Sequence, residues 1–304
     1  MALRNALISV SNKSNLTTLI SNLTFPYSPR HINLFKIYST GGTYNFIKNK
    51  HQETQNGSKF LYKVSDLTEF PEILNGRVKT LHPKILGGIM YDKEDEEHIK
   101  DVEHHNIEKI DLVVANLYPF GNTVKQHKLY KEIIENIDIG GATMIRAAAK
   151  NYKDTCVLVN PDQYDEYIKR FKKNEITLEY KKHLAATAFQ HISSYDNEIA
   201  NFFNPQQKSY IFEKKRDLKY GMNPTNRIAG IYAHIDERLP FTVLNGKPGY
   251  INFLDAINSW RLVNELKTAL ETDACASFKH TIPAGVAIKN DNTETMQQVY
   301  KKTR

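Results

Sequence analysis

The chain has 304 residues, of which 40% are hydrophobic and 25% are charged, and its formal net charge is +7 at pH 7. This length predicts two domains, the composition is typical of a soluble globular protein, and no apolar run approaches the roughly 18 residues of a membrane span. The two cysteines, Cys156 and Cys275, are too few for a disulfide framework or a cysteine-based zinc site.

Over the first 160 residues, short apolar runs alternate with helical patterns, which predicts an α/β fold with a parallel sheet covered by helices. The run at 111–119 is the clearest strand, because it is continuous and β-branched and stops at Pro119. The predicted strands are 6–10, 34–40, 59–64, 111–119 and 155–159. Helices are predicted at 14–22, after Thr43 to about Lys48, at 97–106, 123–137 and 141–151, after Asp162, and at 179–203.

After the last of these helices the sequence becomes polar. The polar stretch 204–218 predicts a linker between a first domain at 1–203 and a second domain at 219–304. Two Asn-rich insertions, 28–33 and 49–59, are predicted to be surface loops.

The charge balance favours an anionic ligand rather than a nucleic acid. The lysines are scattered, and aromatic residues do not alternate with a basic stripe. His98, His104 and His105 lack the i, i+4 spacing of a helical metal pair, so no metal site is expected. The N-terminal apolar run is too short for a signal peptide, and a cytoplasmic location without membrane attachment is predicted.

Ligands of an open parallel sheet bind outside the carboxyl ends of its strands, and four polar clusters occupy such positions. The first, Ser9–Lys13, has hydroxyls and a helix N-terminus that suit an anion, although a serine N-cap with a solvated lysine explains it equally well. The second, Ser39–Thr43, contains Gly41 and Gly42, so that backbone N–H groups can approach a phosphate. A tight turn is the alternative.

The third cluster is a short basic segment between two glycine-containing dipeptides. Arg77 offers a planar fork for a phosphate or carboxamide oxygen, Lys79 a point charge and Thr80 a hydroxyl. His82 precedes a proline, which favours a structural role in a turn. The pairs predicted to form flexible turns on either side are Asn75-Gly76 and Gly87-Gly88.

The fourth cluster joins two segments. Asn116 and Tyr118 end the clearest strand, and Asp138 precedes a Gly-Gly helix start, where an N-cap role is the alternative. Arg146 and Lys150 are four residues apart and share one face of that helix. A basic stripe exposed to solvent is the alternative interpretation of this pair. Together the four clusters predict a site for a phosphorylated small molecule and for proton transfer without a cofactor.

Five motifs carry a resemblance to a known family, and they occur in the order SVSNK, STGGT, GRVKTLHP, NLYPF and DIGGATMIRAAAKN. They resemble the IMP cyclohydrolase domain of the bifunctional AICAR transformylase/IMP cyclohydrolase family, over about residues 3–203. The tail, at 219–224, 244–266 and 276–288, is similar to the start of the family's transformylase domain. The resemblance implies a methylglyoxal synthase-like parallel sheet with flanking helices, followed by an incomplete, cytidine deaminase-like α/β segment.

The implied reaction closes 5-formamidoimidazole-4-carboxamide ribotide to IMP, with loss of water and without a cofactor. Lys150 matches the family's proton-transfer lysine, and Asp138 would orient the carboxamide or take its proton. Lys79 would stabilise charge on the formyl oxygen, and Tyr118 would complete the group. The residues implied to bind the ribotide are Ser11, Asn12, Lys13, Thr40, Gly41, Gly42, Thr43, Arg77, Thr80, Asn116, Gly140 and Gly141.

In the second domain, Lys279 and His280 match the family's transformylase pair, with His280 as the expected proton acceptor. Lys219 and Tyr220 would bind substrate there, with Lys219 in place of a usual arginine. That reaction takes 10-formyltetrahydrofolate as co-substrate. We expect the chain to stop inside this domain and to lack formyl transfer activity alone, and we expect the full-length protein to be a homodimer.

The rival hypothesis is a methylglyoxal synthase-like regulatory module that binds a nucleotide without catalysis. This hypothesis accounts for STGGT but does not account for GRVKTLHP or the DIGG segment. A third possibility is that the chain only supports a dimer and has lost catalysis. An assay for IMP formation separates the catalytic hypothesis from the other two.

Overall fold

The structure is a computed structural model that describes residues 4–24, 34–51, 60–126, 129–225, 228–234, 237–291 and 293–304. The chain divides into two compact units, Met1–Ser209 (unit 1) and Tyr210–Arg304 (unit 2). This division lies inside the predicted linker 204–218. The predicted loop at 28–33 lies outside the described residues, as do residues 52–59 of the predicted loop 49–59. Residues 49–51 are helical, so the loop prediction is wrong for them.

Unit 1 is built on a parallel sheet of five strands, which are β1 (Arg4–Val10), β2 (Phe35–Ser39), β3 (Leu61–Lys63), β4 (Leu112–Asn116) and β5 (Cys156–Leu158). The order is β3-β2-β1-β4-β5, and every pairing is parallel. β4 is buried along its whole length, as expected of a sheet covered on both faces. The five predicted strands are confirmed, with bounds that differ from the prediction at one or both ends.

Helices cover this sheet. They are α1 (Leu16–Thr24), α2 (Gly41–His51), α3 (Val64–Thr68), α4 (Pro83–Met90), α5 (Glu96–His104), α6 (Phe120–Lys125), α7 (Tyr130–Glu135), α8 (Ile139–Lys150), α9 (Tyr164–Lys173) and α10 (Leu178–Phe203). In α1 the buried side chains recur at helical spacing, at Leu16, Leu19, Ile20 and Leu23, so one face packs on the core. No helix in the described ranges is long and apolar enough to cross a membrane.

Gly87 and Gly88 were predicted to form a flexible turn, and this prediction is wrong because both lie within α4. A methyl group on Gly88 would lie 2.3 Å from the backbone oxygen of Glu108. The Ile110 N–H donates to the Gly88 carbonyl at 2.9 Å. Glycine is needed at this position for close packing of the helix against the chain that leads into β4.

The helix predicted at 123–137 is also wrong as a single element. α6 ends at Lys125 and α7 begins afresh at Tyr130. The Glu132 side chain accepts a hydrogen bond from the Leu129 N–H at 3.3 Å, which caps the start of the second helix. Residues 127–128 lie outside the described ranges.

The strand order places a crevice at one end of the sheet. β1 has β2 on one side and β4 on the other, so the chain moves outward through β2 and β3 and then returns to the opposite side. At such a switch point the connections leave the strand ends in opposite directions, and ligands bind between them. The segments that follow β1, β2 and β4 therefore meet at the same place.

The described residues of unit 2 form two antiparallel strand pairs and two helices. The elements are β6 (Phe212–Asp217), β7 (Gly230–His234), α11 (Tyr250–Leu270), β8 (Ala274–Lys279), β9 (Ile282–Ile288) and α12 (Met296–Lys301). β6 pairs with β7 and occupies part of the predicted linker, while α11 packs against β8. β8 and β9 are joined by His280 and Thr281, whose φ angles are 53° and 67°.

Candidate active site

A cavity of about 670 Å³ opens at the switch point, between the segments that follow β1, β2 and β4 and the start of α8. Most of the residues predicted from the sequence to bind or convert a ribotide line it. These are Ser11, Lys13, Thr40, Gly42, Thr43, Arg77, Lys79, Thr80, Asn116, Tyr118, Asp138, Gly140 and Gly141. Residues from all four polar clusters thus line one chamber of unit 1.

Asn116, at the end of β4, holds the loop that follows β1. Its side-chain oxygen accepts from the Asn12 N–H at 2.8 Å, and its amide N–H group donates to the Asn12 carbonyl at 3.1 Å. Both ends of the amide are therefore used by the protein. Asn12 itself is not among the residues that line the cavity, and its backbone is the part that Asn116 fixes.

The threonines of the Ser39–Thr43 segment tie α2 to the end of β1. The Thr43 hydroxyl lies 3.1 Å from both the N–H and the carbonyl oxygen of Val10, and the hydroxyls of Thr40 and Ser9 are 2.8 Å apart. Both threonines are buried. Their hydroxyls position the first turn of α2 at the wall of the cavity.

The two glycines at the start of α2 are not required by packing against the described residues. A methyl group on Gly41 or Gly42 would have no neighbour within 4 Å among the described residues, and neither glycine has a positive φ. Gly42 lines the cavity, as does Lys13, whose Nζ donates to the Ser11 carbonyl at 3.2 Å. A helix N-terminus beside a lysine attracts anions, so we call this part of the cavity the anion end.

Asp138 combines the two roles that the sequence left open. It is the N-cap of α8, where its Oδ1 accepts from the Gly141 N–H at 2.7 Å, and it also lines the cavity. Burial raises the pKa of Asp138, while the bond from Gly141 and the charge of Lys79 act against this increase. The Asp138 N–H donates to the Tyr195 hydroxyl at 2.7 Å, which fixes the backbone at this point.

The sequence interpretation missed Glu135, a charged residue of the cavity wall. Its carboxylate pairs with the guanidinium of Arg77, with Nε and Oε1 3.0 Å apart. Glu135 was assigned to an amphipathic helix at 123–137, in which it has no special position. Glu135 lies only three residues before Asp138, and this proximity in sequence is the one local feature that indicates a position near the cavity.

Lys150 is not brought to the cavity within this chain. It is exposed at the last position of α8, whereas Asp138 caps the first turn, and the helix rises about 16 Å between its two ends. The expected grouping of Lys150 with Arg77 and Lys79 is therefore absent from the described part of one chain. Arg146, on the same helix, pairs with Asp196 of α10.

The remaining predicted residues lie in unit 2. Lys279 and His280 are exposed at the tip of the β8–β9 hairpin. The Lys219 ammonium lies 5.9 Å from the centre of the Tyr220 ring. The transformylase roles of these four residues stay predictions.

Lys79, Tyr118 and Asp138 also line the cavity, and we call the part that they form the acid–base end. The charge of Arg77, which lines the same cavity, is compensated by Glu135. A partly buried carboxylate that interacts electrostatically with a lysine suits proton transfer, and the anion end suits a phosphate. Within the described ranges, no group of three or more His, Cys, Asp or Glu residues is arranged to hold a metal ion. The chamber matches a phosphorylated molecule that undergoes acid–base chemistry.

The chain is similar to known purine biosynthesis proteins. The chain is 40% identical over 309 residues to the bifunctional purine biosynthesis protein PurH of Clostridium botulinum strain 657, covering 99% of this chain and 57% of that protein. The proteins of the same name from Prochlorococcus marinus strain MIT 9301 and Thermoanaerobacter sp. strain X514 are 42% and 39% identical, covering 94% and 98% of this chain. The chain spans 55% and 58% of their lengths.

A crystal structure titled ForH superposes with a TM-score of 0.54 at 27% identity, covering 67% of this chain and all of that chain. The model of the MGS-like domain matches residues 30–143, which include much of the cavity wall and agree with the parallel α/β architecture of unit 1. The model of the AICARFT/IMPCHase bienzyme matches residues 148–304, just over half of the chain. The chain therefore belongs to the AICARFT/IMPCHase bienzyme family.

Proposed function

We propose that the cavity of unit 1 closes 5-formamidoimidazole-4-carboxamide ribotide to IMP, the cyclohydrolase step of purine biosynthesis. The observation that carries this proposal is that one cavity joins an anion end to an acid–base end. Lys13 and the N-terminus of α2 form the first, and Lys79 and Asp138 belong to the second. The names of the curated relatives, which are purine biosynthesis proteins, support the same assignment.

In this reaction the carboxamide nitrogen attacks the formyl carbon, and a C–N bond forms. The resulting carbinolamine then loses its hydroxyl group as water. Of the two hydrogens in that water, one comes from the carboxamide NH₂ group and the other from the formamide N–H. Because both reacting groups belong to one molecule, the protein has to hold the productive rotamer and move protons.

The residues of the acid–base end divide this work. Asp138 takes the proton from the carboxamide nitrogen, and its raised pKa makes it a stronger base than an exposed carboxylate. The Lys79 ammonium stabilises the negative charge that develops on the formyl oxygen. Tyr118, which is 48% exposed in the cavity wall, is assigned to positioning the substrate.

The anion end would hold the ribotide phosphate. Backbone N–H groups of the first turn of α2 and the Lys13 ammonium would bind its oxygens, since the space beside Gly42 is open. Thr40 and Thr43 would keep that turn in place through their bonds to β1. The ribotide would then lie with its imidazole toward Asp138.

The test is formation of IMP from the ribotide by the purified chain, followed by ultraviolet absorbance. Asp138→Asn should lower kcat by about 10²–10⁴-fold, which is the usual contribution of a general base, and Lys79→Ala should also lower kcat. Asp196→Asn, which breaks an ion pair outside the cavity, is the control. Binding of IMP by the wild-type chain without turnover of the ribotide would overturn the proposal and favour a regulatory module.

Two further assignments stay predictions of the family resemblance. If a Lys150→Ala variant keeps the turnover of the wild-type chain, Lys150 is not a catalytic residue. Formyl transfer to the aminoimidazole ribotide from 10-formyltetrahydrofolate by these 304 residues would overturn the prediction that the chain lacks that activity.

A further inference from the structure

The Arg77–Glu135 pair is a side-on contact in the wall of the cavity. Arg77 follows the short 3₁₀ helix Leu74–Gly76, and Glu135 is the last residue of α7. The guanidinium uses Nε toward Oε1 at 3.0 Å and Nη2 toward Oε2. Both oxygens of the carboxylate are therefore bound to one edge of the guanidinium.

This pair has little to do with folding stability. The side chains are 67% and 50% exposed, and exposed ion pairs contribute little because water screens the charges and the side chains lose freedom. The two residues are 58 positions apart, so the contact does not support one helix either. Its main consequence is the orientation that it imposes on the guanidinium.

Glu135 leaves a defined part of Arg77 for a ligand. A guanidinium has five N–H donors in a rigid fork, and the side-on contact uses one on Nε and one on Nη2. The remaining donors, on Nη1 and Nη2, form the end-on edge. No hydrogen bond from Nη1 to a protein acceptor occurs among the described residues, and Arg77 itself lines the cavity.

The same pairing makes the cavity electrically asymmetric. Among the described residues, three cationic side chains line it, and Glu135 compensates the charge of Arg77. Lys79 acts electrostatically on Asp138, while the Lys13 ammonium donates only to a backbone carbonyl of its own loop within the described residues. Uncompensated positive charge is therefore concentrated beside the N-terminus of α2.

We propose that Glu135 is a positioning residue: it holds Arg77 side-on, so that the end-on edge binds an uncharged carbonyl oxygen of the substrate. It also keeps Arg77 from competing with the anion end for the phosphate. The proposal rests on the proposed cyclohydrolase function for the identity of that carbonyl, which belongs to the carboxamide or the formyl group. The pairing itself and its effect on anions do not depend on that function.

The experiment compares Glu135→Ala, Arg77→Ala and the double variant, with the wild-type chain and Asp196→Asn. Asp196→Asn breaks a pair of similar exposure, 54% and 49%, between residues that do not line the cavity. The measurements are kcat and KM for the ribotide, the affinity for inorganic phosphate by calorimetry, and the thermal unfolding temperature. Glu135→Gln serves as a second variant, which removes the charge but keeps one acceptor.

Glu135→Ala should lower kcat by about tenfold or more, because a misplaced group costs a factor of this size. It should also bind inorganic phosphate several-fold more tightly, with an unchanged unfolding temperature, and Glu135→Gln should lie between it and the wild type. In the Arg77→Ala background, the Glu135→Ala change should have no further effect. Asp196→Asn should match the wild type in every measurement.

Two results would overturn the inference: wild-type kcat and phosphate affinity in Glu135→Ala, or an equal loss in the presence and absence of Arg77. If the proposed function itself is wrong, the result is different, because the wild-type chain would then form no IMP. The phosphate measurement still decides the role of Glu135 in that case.

Discussion

A methyl group on Gly140 would lie 2.6 Å from the Oγ1 of Thr80. Thr80 is buried and belongs to the basic segment before α4, whereas Gly140 is in the first turn of α8. The two segments that carry Lys79 and Asp138 are thus in direct contact through a glycine that has no space for a side chain. This contact sets the width of the acid–base end of the cavity.

Gly140→Ala should destabilise unit 1 by about 1–3 kcal/mol, as overpacked positions do, and should lower turnover because Asp138 moves with the helix start. Denaturant unfolding and the IMP assay measure both effects. In a Thr80→Ala background the clash is removed, since the next atom of Thr80 is its Cβ at 4.0 Å. Gly140→Ala should therefore lower the free energy of unfolding by less in the Thr80→Ala background than in the wild type. An equal cost in both backgrounds would contradict the contact.

Gly42→Ala should have the opposite effect on stability. The space beside Gly42 is open and its backbone is helical, so alanine should stabilise α2 by about 0.5 kcal/mol. The added methyl group should nevertheless weaken the binding of inorganic phosphate, because it occupies the approach to the helix N-terminus. Asn45→Ala, an exposed position of the same helix, should change stability in the same direction without loss of phosphate affinity. Equal phosphate affinity in Gly42→Ala and the wild type would place the anion elsewhere.

Asp138→Asn should stabilise unit 1 at neutral pH while it removes activity. The pKa of Asp138 is raised in the folded state, so its ionisation is less favourable there than in the unfolded chain. Its contribution to stability is present at low pH and is lost as the pH rises through the folded pKa. Asparagine does not ionise and its oxygen can still accept from Gly141. The gain should be visible near pH 7 and small near pH 3, measured by chemical denaturation. A variant less stable than the wild type at neutral pH would contradict this.

Thr281→Gly should stabilise unit 2. Thr281 has a φ of 67°, which is unfavourable for a β-branched residue by about 1–2 kcal/mol and costs glycine nothing sterically. The Thr281 N–H donates to the Asp255 carboxylate at 2.6 Å, and glycine keeps this bond. We expect a gain of about 1 kcal/mol in thermal or denaturant unfolding. Thr268→Gly, within α11, should lose stability, and similar losses in both variants would argue against strain in the turn.

Local patterns were enough to predict most of unit 1. The apolar run that became β4 is recognisable because a strand buried on both faces needs continuous β-branched residues. The meeting of the polar clusters also followed from the sequence, because the carboxyl ends of parallel strands lie at one edge. Asp138 could be assigned as an N-cap or a cavity residue from its position before two glycines, and it is both.

Other features depend on contacts between parts of the chain that are far apart in sequence. Arg77 and Glu135 pair across 58 positions, and nothing in either segment indicates the other. Gly88 has the sequence context of a turn, yet the approach of the Glu108 carbonyl makes it a packing position within α4. Lys150 belongs to a motif that begins at Asp138, but the rise of α8 carries it away from the cavity. The chemistry of a side chain and the periodicity of a segment depend on neighbouring residues in the sequence, so the sequence alone reveals them. The distances across a cavity depend instead on how the helices and strands around it pack.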